Sequence, residues 1–269
     1  MAMTLRFSGV HLPAVCLIIL NTVIIGAVHF RPPEKYAALF VFGNSFYDPG
    51  NNNYINTTTE YQENFWSYGE TFFRFPTGSF SDGRLIPDVI TELFQESEKA
   101  VKEQSVREAK ELISSAVYLF SVGGNDYLSP LMFNSSLYDK FSKKEYVAMV
   151  LGNLAQVIKG IYKIGGRKFG LGSLLPLGCL PGTKILQPGN TGFKEADIGC
   201  CGSGLYRGVY SCGGKRGVKE LELCDDVNDY FFFDSYHPTE KAYKQFAKLM
   251  WSGNSDITEP FNLKALFEL

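Results

Sequence analysis

The sequence predicts an α/β/α sandwich, in which helices cover both faces of a mostly parallel β-sheet. Three short apolar runs, at residues 37–42, 116–122 and 168–175, have the length and composition of strands buried on both faces. Segments with helical periodicity lie between these runs, and such alternation favours parallel strands joined by helices. A shorter apolar run at residues 230–233 is a fourth strand candidate.

The helices are predicted from the spacing of apolar side chains. Residues 144–163 have an apolar stripe and end at a Gly-Gly pair that suits a helix stop, while residues 91–115 are charge-rich with a thinner stripe. A closing helix is expected to begin at Pro238, because proline suits a first helical position. Its predicted buried face consists of Ala242, Tyr243, Phe246, Ala247 and Met250. Residues 183–228 are rich in Gly and Cys and are predicted to be irregular.

The composition is that of an ordinary folded protein. Of the 269 residues, 45% are hydrophobic and 20% are charged, which is enough apolar material for a sizeable core and excludes wholesale disorder. The 26 Lys and Arg against 28 Asp and Glu give a net charge of −2. No basic excess indicates a nucleic-acid partner.

The N-terminus predicts export. Residues 1–28 combine Arg6 with an apolar stretch and small residues at the end, which favours a secretory signal peptide followed by a single domain at 29–269. The alternative is an uncleaved anchor or a buried helix, although the stretch is short and interrupted for a membrane span. Two glycosylation sequons, at Asn56 and Asn134, also favour a secreted, extracellular glycoprotein without a membrane span after signal cleavage.

The cysteine count agrees with an oxidising compartment. Six cysteines are present, and Cys16 leaves with the predicted signal peptide, so at least one of the remaining five is unpaired within the chain. The cluster between Cys200 and Cys224 favours a disulfide-tied loop. A zinc site is the competing interpretation, but the spacing contains no C-x₂-C pair and histidine is scarce. No metal or other cofactor is expected.

Polar residues follow three of the predicted strands, at the edge where ligands bind to parallel sheets. Ser45 follows the first strand, Asn125 the second, and Asp234 and His237 the last. A hydroxyl nucleophile, an imidazole base and an orienting carboxylate are the requirements of acyl transfer, and Asn125 with the Ser45 backbone N–H could hold the oxyanion. His237 is the one histidine after residue 29, so an imidazole base in the exported protein must be this residue.

Each of these motifs also has a structural interpretation. Singly, Ser45 suits a helix cap, the Gly-Gly pair before Asn125 suits a turn, and Asp234 suits a cap of the closing helix. Their occurrence together at strand ends favours catalysis. Ser45 lies outside a G-x-S-x-G elbow, which disfavours an ordinary α/β-hydrolase, and residues 202–208 match a dinucleotide-binding loop poorly.

Two smaller features have a simpler interpretation. Lys215-Arg216 is interpreted as a solvated pair. Four phenylalanines near the first site are assigned to core packing, with an acyl pocket as the alternative. They are Phe72, Phe73, Phe75 and Phe80.

The sequence resembles the plant GDSL esterase/lipase family of the SGNH hydrolases. The stretches that carry the resemblance are FVFGNSFYDPGNNNYIN, FPTGSFSDGRLIPD, VYLFSVGGNDYLSP, KIGGRKFGLGSLLPLGC, CCGSG with CGGKRG, and FFFDSYHPTEKAYKQFAKLMW. The resemblance implies a flavodoxin-like sheet, secretion and hydrolysis of acyl esters or lipids. It also implies Ser45 as nucleophile, His237 as base, Asp234 as its orienter, and Asn125 with the Ser45 N–H as oxyanion donors.

The chain departs from that family pattern in several places. Asn44 replaces the usual Asp, Phe46 the usual Leu, and Ser79 a common Arg. Two stretches are missing, one after Ile90 that would contain an oxyanion-hole glycine, and one near Gly192 that would contain a helix, a strand and the usual partner of Cys179. The sequence therefore predicts a shortened secreted serine ester hydrolase, and the alternative is a catalytically impaired binding or decoy glycoprotein.

Overall fold

A computed structural model describes most of the chain beyond its N-terminal segment. The described residues are 38–58, 61–97, 109–132, 136, 140–174, 177–184, 197–214 and 216–269. The predicted signal peptide and the sequon at Asn134 lie outside these residues.

Three parallel strands form the sheet, in the order β1 (Leu39–Gly43), β2 (Val117–Ser121) and β3 (Lys168–Leu171). These are the three predicted apolar runs, and the α/β class is confirmed. β2 is central and fully buried, as expected of a parallel strand with helices on both sides. The fourth expected strand is wrong, because Phe232 forms only isolated bridges, with Gly199 and Pro238.

Seven helices lie within the described residues. They are α1 (Ile86–Ser97), α2 (Ala109–Ser115), α3 (Gly124–Met132), α4 (Lys143–Ile164), α5 (Pro181–Lys184), α6 (Glu240–Ser252) and α7 (Leu263–Glu268). The predicted helix at 144–163 is confirmed as α4, which begins at a capping box between Ser142 and Glu145. The closing helix begins at Glu240, two residues later than expected, because the Thr239 hydroxyl caps it by accepting from the Ala242 N–H.

The helices form a layer on each side of the sheet. On one face Leu119 packs in a cluster with residues of α1, α6 and α7, including Ile90, Tyr243 and Phe267. On the other face Tyr118 and Phe120 meet the apolar stripe of α4. Alternate residues of β2 thus serve opposite layers, as the pleat of a strand requires.

One edge and one helix of this sandwich expose apolar surface. Among the described residues β1 pairs only with β2, and Phe40 and Phe42 on β1 are 39% and 38% exposed. On α4, which packs on the sheet through a single stripe, the exposed apolar side chains are Val147, Met149, Leu151, Val157, Tyr162 and Ile164. Within the described part of the chain, α4 alone is long and apolar enough to cross a membrane, and a single helix of this kind is weak support for a span.

The Gly- and Cys-rich segment is tied by disulfides, as expected. Cys200 bonds Cys224, and Cys201 bonds Cys212. In the same segment, β4 (Cys201–Gly202) and β5 (Glu222–Leu223) pair as a two-stranded antiparallel ribbon. Among the described cysteines, Cys179 is the one outside a disulfide. The described residues contain no cluster of side chains suited to a metal ion.

Candidate active site

Ser45 lies in a tight turn at the carboxyl end of β1. The Asn44 carbonyl accepts a hydrogen bond from the Tyr47 N–H at 2.9 Å, and Asn44 Oδ1 accepts from the Phe46 N–H at 3.2 Å. A Cβ at Gly43 would lie 2.7 Å from the Tyr47 Cβ, so the turn requires glycine there. Since Asn retains an acceptor oxygen, Asn44 forms this turn although the related family usually has Asp.

Asp234 and His237 lie in the irregular segment that leads into α6. Asp234 Oδ1 accepts hydrogen bonds from the backbone N–H groups of Tyr236 (2.8 Å) and His237 (2.9 Å). The His237 carbonyl in turn accepts from the Phe233 N–H at 2.7 Å. This local turn brings His237 Nδ1 to 2.8 Å from Asp234 Oδ1, with both side chains buried.

The two halves of the site meet across 192 residues of sequence. His237 Nε2 lies 2.8 Å from Ser45 Oγ. In the tautomer that donates Nδ1–H to Asp234, Nε2 accepts a hydrogen bond from the Ser45 hydroxyl, which is the arrangement of a nucleophile, a base and an orienting carboxylate. The structure therefore brings together the three residues that the sequence singled out; their catalytic role stays a prediction.

Asp234 is held in its ionised form. Burial alone would raise the pKa of this carboxyl, but the adjacent His237, the Tyr236 N–H and the Tyr68 hydroxyl together hold its pKa below the ordinary value. A carboxylate at this position stabilises the imidazolium that would form when His237 takes a proton.

Sequence reasoning missed the polar residues behind Asp234. The Tyr68 hydroxyl donates to Asp234 Oδ2 at 2.7 Å, and the buried Arg216 pairs with Glu63. The interpretation of Arg216 as solvated is wrong, since its side chain is 3% exposed. Its position in a loop without apolar periodicity gave no signal of burial; the nearby cysteines, which tie this loop to the core, are the feature that could have indicated it.

A cavity of about 720 Å³ opens at Ser45. Ser45, His237 and Asn125 all border it, and Asn125 stands in the first turn of α3. Its apolar wall consists mainly of Val41, Phe46, Phe80, Leu128, Leu174, Leu177 and Leu180.

The phenylalanines predicted near the site divide into two groups. Phe80 is buried, borders the cavity and lies with its ring centre 4.8 Å from that of His237. Phe72 and Phe75 are exposed, so the assignment of all four to the core is wrong. Asn56, the sequon that falls within the described residues, is also exposed, as glycosylation would require.

Comparison with known proteins places the chain in a class of enzymes. Residues 39–250 match the family model described as GDSL-like Lipase/Acylhydrolase. The chain is 36% identical to a GDSL lipase of Tanacetum cinerariifolium, with 87% of this chain and 89% of the relative covered. It is 38% identical to GDSL esterase/lipase 5 of Arabidopsis thaliana, over 88% and 89%. By class it is a carboxylic ester hydrolase. It belongs to the GDSL-like lipase/acylhydrolase family.

The same alignments confirm that the chain is shortened. The match to the Tanacetum cinerariifolium lipase runs over 334 positions, more than the 269 residues of this chain. Since 87% of 269 is about 234, about 100 of the 334 positions of the alignment lie opposite gaps in this chain. Segments found in relatives are therefore absent here, in keeping with the edge of β1 that has no partner strand among the described residues.

Proposed function

We propose that this protein is a secreted serine ester hydrolase in which Ser45 forms an acyl-enzyme. The observation on which this depends is the continuous hydrogen-bonded path from Ser45 Oγ through His237 to Asp234, with distances of 2.8 Å at both steps. Membership of an ester-hydrolase family and the cavity at Ser45 support the same reaction.

The reaction would proceed in two halves. Ser45 Oγ attacks the ester carbonyl carbon while His237 Nε2 takes the hydroxyl proton, and His237 then returns that proton to the departing alcohol. In the second half a water molecule attacks the acyl carbon while His237 takes its proton; the bond between the acyl carbon and Ser45 Oγ then breaks, His237 returns the proton to Ser45 Oγ, and the acid leaves. Asp234 orients the imidazole through Nδ1 throughout and stabilises its positive charge.

The negative charge on the substrate oxygen would be met by two groups at the cavity wall. Asn125 supplies an amide N–H and Ser45 its backbone N–H, and both residues border the cavity. The N-terminus of α3, at Gly124 and Asn125, adds its partial positive charge from the same side. This would compensate in part for the missing glycine donor.

The cavity wall favours an apolar acyl group. Leu128, Leu174, Leu177 and Leu180 line it, and no Lys or Arg is among its lining residues in the described part of the chain. We assign the acyl chain of a small ester or lipid to this apolar side. Export through the segment at residues 1–28 and glycosylation at Asn56 and Asn134 belong to the same proposal.

The reaction is tested with the purified protein and a short p-nitrophenyl ester. Ser45→Ala should lower kcat by at least about 10³-fold. Ser252→Ala, which removes an exposed hydroxyl from α6, should leave the rate unchanged. Equal rates for the unsubstituted protein and Ser45→Ala would overturn the proposal.

The second candidate is a binding or decoy glycoprotein without turnover. It is favoured because about 100 positions of the alignment with the relative lie opposite gaps in this chain. If one of these gaps removes an oxyanion donor, turnover falls by a factor on the order of 10²–10³. A fluorophosphonate probe separates the candidates, since it reacts with an activated serine. Stable labelling of Ser45 supports the hydrolase, and folded protein that takes no label supports the binding role.

A further inference from the structure

A buried layer of polar side chains lies behind Asp234, on the side away from the cavity. Asp234 Oδ1 accepts hydrogen bonds from two backbone N–H groups, and His237 Nδ1 lies 2.8 Å from Oδ1 and 2.9 Å from Oδ2. Oδ2 also accepts a hydrogen bond from the Tyr68 hydroxyl at 2.7 Å. Tyr68 is fully buried, and its ring packs edge-on against Phe65 and Phe233. The orientation of the carboxylate is thus fixed from both of its oxygens.

A second pair of charges lies behind Tyr68. Arg216 Nη2 contacts both carboxylate oxygens of Glu63, at 2.6 and 2.7 Å, and donates to the Tyr68 oxygen at 3.3 Å. The Tyr210 hydroxyl donates to Glu63 Oε1 at 2.5 Å, and the Arg216 guanidinium lies over the Tyr210 ring, 3.6 Å from its centre. Four side chains from two distant segments thus form one network that ends on Asp234.

This network is costly to bury, which argues for a role beyond stability. A buried ion pair loses its hydration and often stabilises a fold no more than apolar residues of the same size. The Glu63 and Arg216 side chains are 0% and 3% exposed. Arg216 follows Cys212, which is bonded to Cys201, and the Cys212 carbonyl accepts from the Ser67 hydroxyl, next to Tyr68. The disulfide and Tyr68 therefore belong to one rigid unit.

We propose that Tyr68 is a positioning residue for the triad, and that the Arg216–Glu63 pair holds its hydroxyl on Asp234. The proposal rests on the proposed function. By donating to Oδ2, Tyr68 fixes the carboxylate plane and withdraws negative charge from it. Without that donor, the full negative charge of Asp234 faces the imidazolium and the carboxylate is free to turn, so the imidazole meets Ser45 less often in the reactive geometry.

The electrostatic surroundings of Asp234 include groups from each segment packed against it. The titratable and charged side chains that act on it or feel its charge are Tyr68, Tyr210, Tyr236, Tyr243, Glu63, Arg216 and His237. Of the four tyrosines, the structure gives a hydrogen bond to Asp234 from the hydroxyl of Tyr68 only, among the residues it describes.

The test compares Tyr68→Phe with a matched control, Tyr243→Phe. Tyr243 is also fully buried, and within the described part of the chain its hydroxyl has no hydrogen-bond partner. The rate of Ser45 labelling by a fluorophosphonate is measured from pH 5 to pH 9, together with kcat and KM for a p-nitrophenyl ester and the melting temperature of each variant.

We expect Tyr68→Phe to lower kcat about tenfold, and to lower by the same factor the labelling rate at the pH where that rate is highest (the plateau). This is the effect expected from the loss of one hydrogen bond to a charged group. The acid limb of the labelling rate, where the rate falls as the pH is lowered, should move to higher pH. KM should stay within about twofold, and Tyr243→Phe should behave like the unsubstituted protein. If Tyr68→Phe does not fold, Arg216→Lys should move the acid limb in the same direction by less, since lysine keeps the positive charge but loses the Nη2 atom that contacts both Glu63 and the Tyr68 oxygen.

Three results would overturn the inference. The first is labelling of Tyr68→Phe at the same rate as the unsubstituted protein. The second is a lower plateau rate with an acid limb at the same pH, because this result indicates a packing effect only. An equal loss of labelling in Tyr243→Phe also overturns it, because that variant leaves the donor to Asp234 in place. A failure of the proposed function is distinguishable, because then the unsubstituted protein itself takes no label on Ser45.

Discussion

The loops around Asp234 and the edge of the sheet are stabilised in different ways. The loop cluster, by which we mean residues 61–82 and 199–239, contains little regular structure but two disulfides and a buried network of charged and hydroxyl groups. The sheet is regular, yet β1 has an unpaired edge among the described residues and exposes two phenylalanines.

This difference explains how a shortened chain retains its site. The positions of Asp234 and His237 depend on turns and hydrogen bonds within the loop cluster, not on the number of strands. Ser45 depends on β1 alone and on the turn after it. The contacts among these three side chains are therefore formed without a further strand beside β1 in the described part of the chain.

The first prediction tests Asn125, which borders the cavity at Ser45. Asn125→Ala should lower kcat by about 10²–10³-fold with little change in KM, because an oxyanion donor acts mainly in the transition state. Steady-state kinetics with a p-nitrophenyl ester measure this. Asn254→Ala, at an exposed position two residues after α6, is the control and should leave kcat unchanged. A kcat for Asn125→Ala within about threefold of the unsubstituted value would remove Asn125 from the oxyanion hole.

The second prediction compares the centre of the sheet with its outer strand. Leu119 on β2 is fully buried, whereas Leu171 on β3 is 62% exposed. Leu119→Ala should lower the free energy of unfolding by about 2–5 kcal/mol, since it leaves a cavity. Leu171→Ala should change it by less than about 0.5 kcal/mol. Denaturant titration measures both free energies of unfolding. Equal losses would contradict the description of Leu171 as an exposed side chain on β3, an outer strand of the described sheet.

The third prediction concerns acid and the loop cluster. Because the pKa of Asp234 is lowered on folding, its charge stabilises the protein above its ordinary pKa of about 3.9, and that contribution is lost as the pH falls through the folded value. The unfolding free energies of the unsubstituted protein and Asp234→Asn should therefore converge between about pH 5 and pH 3. A constant difference over this range would contradict a lowered pKa.

Much of the fold and of the site could be predicted from the sequence, because both leave local signals. The apolar runs of β1, β2 and β3 and the stripe of α4 follow simple periodicities, and His237 is the one histidine after residue 29. Tyr68, Glu63 and Arg216 have no such signal. Their segments lack periodicity, and a charged residue in a loop is usually solvated. The cysteines near Arg216 are an indirect sign of its burial, but the pairing with Glu63 and Tyr68 is evident only from the three-dimensional contacts.

The segment at 230–233 shows the same limit in the backbone. Its aromatic run has the composition of a strand, but its carbonyls accept from Cys200 and Cys201 rather than from a neighbouring strand of the sheet. The disulfide-tied residues compete successfully for those carbonyls, and a local pattern contains no information about such a distant partner.

The central claim is that Ser45 is activated by the imidazole that lies 192 residues further along the chain. The most direct measurement is tandem mass spectrometry of the fluorophosphonate-treated protein, in the unsubstituted form and as His237→Gln. We predict one adduct, on Ser45, in the unsubstituted protein and its loss in His237→Gln protein that still melts cooperatively. An adduct on another residue, or undiminished labelling of Ser45 in His237→Gln, would contradict the account.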